Sequence, residues 1–350
     1  MKRIMAKKMV KVSVILPVFN AEKTLENTIR SLIYQTLNEI EIIAINDGSS
    51  DDSSTILQKY ADRDSRLKVI DQPNHGVSFS RNKGIASASG EYVFFIDSDD
   101  WIDRDTLEKM YLFAKQKQLA FVACGHEEKN STKMRTEKIE KKNVVLNDSK
   151  LYFEYFDALF FQSACAKFFK LDQIQVKFDE QMQLGEDLAF TYSFVNRQSI
   201  LGFCGEVVYH VVNQNPSSLS KKYVNNLDDS LEKQYRIWKE FNDNHRGFAE
   251  EYQRNMIPFG MYMLMTYFSN LNRYDCPLTY RQKLDRARLF YDQHSDWATK
   301  GNKLSLNKAS IFEKVAYLII PTGNVGLILT TFLLKEKIRR IKFFVGRLRK

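Results

Sequence analysis

The feature that most constrains this chain is the regular alternation, over its first hundred residues, of short apolar runs with helical patterns. The runs VSVILPVF (ending at Phe19), IEIIAIND (40–47), LKVID (67–71) and EYVFFID (91–97) read as strands. Between them lie EKTLENTIRSLIYQ (22–35), with Leu25, Ile29, Leu32 and Ile33 on one face, then DDSSTILQKYADRD (51–64) and GVSFSRNKGIASA (76–88). The spacing of their apolar positions and their polar first residues mark these as helices. Strands apolar on both faces need cover on both, and the intervening helices supply it. The expected fold is therefore α/β, with a mainly parallel sheet flanked by helices. In such sheets ligands bind outside the carboxyl ends of the strands. That rule brings Asn46, Asp47 and Gly48 from the second strand, and Asp97, Ser98 and Asp99 from the fourth, to one rim.

The stretch YVFFIDSDDWID runs from apolar residues straight into Asp97, Asp99, Asp100 and Asp103. A carboxylate at the end of a buried strand is costly unless it is hydrogen-bonded or neutralised by a cation. Two carboxylates spaced as Asp-x-Asp in a turn can share a hard divalent ion, Mg²⁺ or Mn²⁺, which keeps waters and adds phosphate oxygens. Acids here can instead cap the helix that begins near Asp103. Asp103 and Asp105 are assigned to that role, and Asp51 to capping the helix after the second strand. For Asp97 and Asp99 both readings stand on these residues alone. Asp47, at a second strand end, tips the balance toward a shared site.

Composition narrows the alternatives. The chain has 350 residues, 44% of them hydrophobic and 27% charged, as in a globular protein and unlike a disordered one. Its formal net charge of +9 is concentrated at one end, where Lys335 to Lys350 holds eight Lys or Arg against one Glu. The basic character thus describes a tail, and the rest of the chain offers no basic, aromatic face for nucleic acid. Cys124, Cys165, Cys204 and Cys276 form no CxxC pair and no zinc spacing, which suits reduced thiols in a cytoplasmic protein. MKRIMAKKMVKVSVILPVFN is basic and then apolar, but without a small-residue cleavage site it reads as the approach to a first strand.

Further along come a strand near 120–128, a charged excursion from Lys129 to Asn147, a helix over 149–161, a helix from Glu186, and a strand ending near Asn213. From about Asn225 the pattern is helical to the end. Three regions follow: 1–222, 223–310 and 311–350. Between Val315 and Leu334 no residue is charged, but PTGN interrupts the run, which disfavours one straight spanning helix. The basic end places Ile338, Ile341, Phe344 and Leu348 along one face, as an interfacial helix on an anionic membrane surface would. The other reading is a helical hairpin packed on the protein's own domain.

Together VSVILPVFNAEKTLENTIRSLIYQT, INDGSSDDS, NHGVSFSRNKGIASASGEYVFFIDSDD and LGEDLAF resemble the inverting family 2 glycosyltransferases of the GT-A fold that build bacterial cell-surface polysaccharides. The resemblance covers roughly residues 10 to 220, in one order and spacing. It implies a mixed, mainly parallel sheet and a metal-dependent transfer from a UDP-sugar. Asp47 then matches the acid that reads the uracil, and Pro17, Val18 and Phe19 the first loop of the nucleoside pocket. Asp97 and Asp99 match the Asp-x-Asp pair, around Ser98, with Asp99 toward Mn²⁺ or Mg²⁺; Asp100 extends the motif and replaces or supports either. Asp187 matches the catalytic base, with Glu186 beside it, and Arg81 and Asn82 match a helix supporting the donor. His210 and Ser218 fall in what resembles a closing loop that reaches the diphosphate, and Lys167 lies near the acceptor side.

The implied protein takes a UDP-sugar and a glycan or lipid-linked acceptor, binds no nucleic acid, and sits peripherally on the inner face of the cell membrane. Two alternatives belong to other classes. A sugar-phosphate nucleotidyltransferase usually has a Gly-rich basic loop after the first strand, and LPVFNAEKT has no glycine there. A non-catalytic membrane-anchored glycan or nucleotide-binding module would have no use for the intact set of Asp47, Asp97, Asp99 and Asp187. A dehydrogenase is disfavoured because no GxGxxG follows the first strand.

Overall fold

The computed structural model describes residues 9–130, 133–135, 142–156, 163–212, 222–298 and 310–348; the side chains of 126, 128–130, 133–135, 156 and 341–348 are outside that description. The expected alternation is realised as β1 (Val12–Val18), α1 (Leu25–Ile33), β2 (Ile40–Asp47), α2 (Ser53–Ala61), β3 (Leu67–Gln72), α3 (Val77–Ser87) and β4 (Tyr92–Phe95). β1 pairs in parallel with β2 and β4, and β2 with β3. Every residue of β2 is buried, as a strand covered on both faces requires. α3 lies so close to the sheet that a Cβ on Gly84 would sit 2.4 Å from Ile15 Cγ2. Because β2 and β3 lie on one side of β1 and β4 on the other, strand order reverses between β1 and β4. A crevice opens at their carboxyl ends.

The sheet continues with β5 (Trp101–Ile102), β6 (Phe121–Asn130), β7 (Lys133–Arg135), β8 (Asn143–Leu146), β9 (Lys167–Lys170) and β10 (Leu201–Val211), interleaved with α4 (Thr106–Lys117), α5 (Ser149–Phe156) and α6 (Glu186–Val195). The order is β3-β2-β1-β4-β9-β6-β10-β5, with β7 on β6 and β8 on β10. β9 runs antiparallel between β4 and β6, which makes the sheet mixed. In the charged excursion after β6, β7 pairs antiparallel with β6 and β8 with β10, with residues 131–132 and 136–141 outside the described set. The helix expected over 149–161 is described only to Phe156. Between sheet and helices sits an aromatic cluster in which Phe178 stacks on Phe190 at 4.1 Å and Phe95 meets Phe178 edge-on at 5.3 Å.

The capping expectations need correction at β5–α4. α4 begins at Thr106, and Asp105 occupies the N-cap position without a capping hydrogen bond. Its backbone (φ −108°, ψ 8°) lacks the extended conformation that aims a cap side chain at the first turn, and its carboxylate pairs with Lys109 at 2.7 Å instead. Asp103 turns away from the helix to His210, 2.9 Å off. Asp51 does accept the N–H of Ser53, at 3.0 Å, and also that of Glu22.

The chain divides into two compact units, one of Met1–Gln181 with Glu186–Gln214, the other of Met182–Gly185 with Asn215–Lys350. The first holds the sheet. The second is built from α7 (Leu227–Asn244), α8 (Arg246–Asn255), α9 (Phe259–Leu271), α10 (Tyr280–Gln293), α11 (Ile311–Ile319) and α12 (Val325–Leu348). Residues 311 onward are joined to this unit: Phe332 meets Phe268 and Phe312 at 5.7 and 4.9 Å, and Tyr291 Oη donates to the Ile320 carbonyl. PTGN breaks the apolar run as expected, with a single 3₁₀ turn and Gly323 at φ 70°. No described helix is long and apolar enough to cross a membrane.

Candidate active site

The site is built where β1, β2 and β4 end. Asn20 and Ala21 donate backbone N–H bonds to the hydroxyls of Ser49 and Ser53, and Ser50 donates back to Asn20 Oδ1, so the loops after β1 and β2 are zipped together. Gly48 makes the turn out of β2 at φ 70°, with no room for a Cβ against the Asn74 backbone nitrogen. Asp47 is buried at the end of β2. Its carboxylate accepts from Gln72 Nε2 and from the backbone N–H groups of His75 and Gly76, each at 2.8 Å. Three of its roughly four lone-pair positions are thus used in holding the entry to α3. Pro17 and Val18 belong to β1 itself, where Val18 is buried, and only Phe19 projects outward, 51% exposed. Pro17 is tolerated in a central strand because the register of β1 with β4 ends at Ile15.

The Asp-x-Asp turn is held from α1. The Thr24 and Thr28 hydroxyls donate to the Ser98 carbonyl at 2.9 and 3.0 Å, and Thr28 also reaches the Asp100 carbonyl at 2.7 Å. Asp97 projects partly into solvent and is paired through Oδ1 with Arg81 Nη2 at 3.1 Å. Asp99 is half-buried, and among the described residues its carboxylate has only its own backbone N–H as a hydrogen-bond partner; burial and then the neighbouring Asp97 raise its pKa. Asp100 points inward, 5% exposed, to Tyr209 and Val212, and burial followed by Asp97 pushes it up to about 8.

Arg81 on α3 joins these acids to α6. Its guanidinium is buried, lies 5.3 Å from the Phe178 ring centroid, and pairs through Nη1 with Glu186 Oε1 at 3.3 Å and with Asp187 Oδ1. Burial would lower its pKa, but Asp187 and then Asp97 more than offset that and raise it. Burial lifts Asp187 to about 7, against the pull of Arg81 and with a further push from Glu186 and Asp97. The Asp187 side chain keeps 19% of its surface exposed. Asn82, one residue on, holds Phe178 through both its amide oxygen and nitrogen at 2.9 Å and reaches Glu180. Phe178 therefore stays under Arg81.

The structure brings Asp97, Asp99, Arg81, Glu186 and Asp187 together, with Asp47 and Phe19 on the same rim. His210 is placed differently from a loop residue. It lies on β10, stacked on Trp101 at 3.6 Å, with Nε2 2.9 Å from Asp103 and Nδ1 3.3 Å from Glu127, and so is held as part of the sheet edge. Ser218 lies outside the described residues. Lys167 is buried on β9, its ammonium donating to the Cys165 carbonyl at 3.0 Å and its pKa lowered by burial to about 8, so its side chain is turned into the interior. Cys124, Cys165 and Cys204 are buried and Cys276 half-buried, all as free thiols. A cavity of about 240 Å³ lies in the helical unit, lined by Tyr223, Asp228, Tyr267, Arg286 and Gln293 among others, and contains none of the expected site residues.

A divalent ion fits the donor set present. Asp99 is an unneutralised hard oxygen donor beside a second acid. No three His, Cys, Asp or Glu side chains among the described residues are placed to cage an ion. An ion here would be held by one or two carboxylates and completed by phosphate oxygens and water.

Tyr209 was not visible as a site residue in the sequence. Strand parity offered a signal, because His210 and Tyr209 must point to opposite faces. The register shift in β10 between Cys204 and Val208 blurred that parity.

A mixed sheet with acids gathered where its strand order reverses, and a helical region after it, is the arrangement expected of the GT-A class of glycosyltransferases. The family model described as Glycosyl transferase family 2 matches residues 13–174. The uncharacterized glycosyltransferase EpsJ of Bacillus subtilis is 32% identical over 246 residues, 68% of this chain and 71% of that protein. The poly(ribitol-phosphate) beta-glucosyltransferase of Bacillus spizizenii is 28% identical over 221 residues, 61% of this chain and 34% of that longer protein. In fold, residues 1–349 of S. aureus TarS, solved with UDP-GlcNAc, superpose with a TM-score of 0.67 at 21% identity, over 95% of this chain and 92% of that one. This chain belongs to glycosyltransferase family 2.

Proposed function

We propose that the chain transfers a sugar from a UDP-sugar to a hydroxyl of a glycan or lipid-linked acceptor, with inversion, in cell-surface polysaccharide synthesis at the cytoplasmic face of a membrane. The observation that carries this reading is the Arg81 guanidinium, which gathers Asp97 from the end of β4 and Glu186 and Asp187 from the start of α6. Asp187 takes the proton of the acceptor hydroxyl as that oxygen attacks the anomeric carbon, and the nucleoside diphosphate leaves from the opposite face. One base acting with in-line displacement inverts the configuration. Arg81 orients the Asp187 carboxylate. Phe19 and Asp47 with the β1 terminus border the nucleoside. Asp99, with Asp97, would hold Mg²⁺ or Mn²⁺, which when bound neutralises charge on the leaving diphosphate.

The uridine donor is supported by the TarS structures with UDP-GlcNAc and UDP, and the polymer acceptor by the poly(ribitol-phosphate) beta-glucosyltransferase. The membrane is supported by an apolar stripe on α11, where Ile311, Val315 and Leu318 are exposed, and one on α12, where Leu327, Leu334 and Ile338 are. Lys314, Lys337, Arg339 and Arg340 are exposed on the same helices. The side chains of Ile341, Phe344 and Leu348 lie outside the described set.

The test is release of UDP from UDP-glucose, UDP-galactose and their N-acetyl forms with Mn²⁺ and no added acceptor, where water takes the acceptor's place. The wild type should release UDP from at least one donor, and Asp187→Asn should slow release by at least about a hundredfold. No release from any donor, or an unimpaired Asp187→Asn, contradicts the reading.

A further inference from the structure

We infer that Asp100 is a positioning residue that ties the metal-binding turn to the end of β10, and not itself a ligand of the ion. The inference deepens the donor-site reading and rests on it. Asp100 continues the Asp97–Asp99 motif, and by spacing alone any of the three could face a ligand. The side chains separate them. Asp97 and Asp99 remain accessible, whereas Asp100 is 5% exposed.

Both of its oxygens are already used. Oδ2 accepts from Tyr209 Oη at 2.7 Å and Oδ1 from the Val212 backbone N–H at 2.9 Å. These bonds hold the carboxylate inward, so to turn toward the accessible side where Asp97 and Asp99 lie Asp100 would have to give them up and leave two polar groups without their acceptor.

What the two bonds connect gives Asp100 its role. Tyr209 Oη, while donating to Asp100, accepts the backbone N–H of Asp97 at 3.2 Å, the residue that opens the Asp-x-Asp turn and holds Arg81. Val212 is the first residue after β10. Asp100 and Tyr209 therefore fix the turn and the strand end to each other at two main-chain points. On the opposite side the Asp100 carbonyl is held by Thr28 at 2.7 Å, so the residue is clamped by α1 and β10 at once.

The experiment is amide hydrogen exchange on the full chain without nucleotide, for wild type, Asp100→Ala and Tyr209→Phe, with UDP affinity measured on each with and without Mn²⁺. Exchange at Asp97 should quicken about three- to tenfold in both variants, and at Val212 in Asp100→Ala. UDP affinity should fall by a similar factor in both, while the ratio of affinities with and without Mn²⁺ stays at the wild-type value. If Asp100→Ala does not fold, Tyr209→Phe decides by the same readings. Unchanged exchange at Asp97 in Tyr209→Phe overturns the tie. Loss of the Mn²⁺ ratio in Asp100→Ala with its retention in Tyr209→Phe makes Asp100 a ligand and equally overturns it. A wild type that binds no UDP would defeat the donor-site reading, while exchange still decides whether the tie exists.

Discussion

At the scale of single residues, the proposed chemistry rests on Arg81 and Asp187. A buried guanidinium is stable only with charge partners, and Arg81 has them in Asp97, Glu186 and Asp187. Asp187 is faced by that guanidinium, by Glu186 beside it, by Asp97 and by the N–H of Ala164, with the buried Lys167 and Cys165 nearby. Since its pKa is raised to about 7, it is a carboxylate above that pH and a neutral acid below, and only the carboxylate can accept a proton. If Asp187 is the base, kcat/KM should fall about tenfold per pH unit below roughly 7, reading a single deprotonation in the free enzyme. A profile flat down to pH 5 would remove Asp187 from that role.

The acids were legible in the sequence because a charge ending an apolar run is conspicuous; their partners were not. Tyr209 and Thr28 look like ordinary strand and helix residues until the fold brings them against the turn. Nor does charge in a strand always mark a site. Glu41 is buried near the start of β2, bonded to Ser13, Ser89 and Lys68, and simply fastens the other end of the sheet.

Among the elements, α3 carries most of the consequence. It presents Arg81 and Asn82 on one side and lays Gly84 against β1 on another, so the placement of the site depends on how closely the helix can approach the sheet. Gly84→Val would force side-chain atoms into the space of Ile15 and should cost about 1–3 kcal/mol of stability, read in thermal or denaturant unfolding. Stability unchanged by that substitution would show that α3 can retreat without loss. The α/β alternation was readable because buried parallel strands are apolar on both faces. The insertion of β9 between β4 and β6 was not, since a four-residue run such as KFFK carries no record of its neighbours. The acid-rich start of α4 misled for a related reason: a cap depends on backbone dihedrals, and Asp103 found a better partner in His210.

At the scale of the whole molecule, the sheet unit holds the gathered acids, and α11 and α12 of the helical unit expose apolar and basic side chains. The change to helix near residue 225 was visible as a change of pattern. The packing of α11 and α12 with α9 and α10 depends on which face of each helix is covered, and periodicity leaves that open. The full chain should bind vesicles containing phosphatidylglycerol at least about tenfold more tightly than neutral ones, in a salt-sensitive manner, and Ile311→Glu with Leu318→Glu should weaken that binding. Equal binding to both vesicles would contradict a membrane role for these stripes. Whether Asp97 and Asp99 mark a metal-assisted UDP site is decided by thermal unfolding with UDP, GDP or CDP, each with and without Mn²⁺. A ligand that binds the native state at a hundred times its Kd adds about 2.7 kcal/mol. UDP should protect selectively, with protection enhanced by Mn²⁺ and the enhancement lost in Asp99→Asn; protection by none of the three nucleotides, or by UDP with the same Mn²⁺ enhancement in Asp99→Asn, would overturn the assignment.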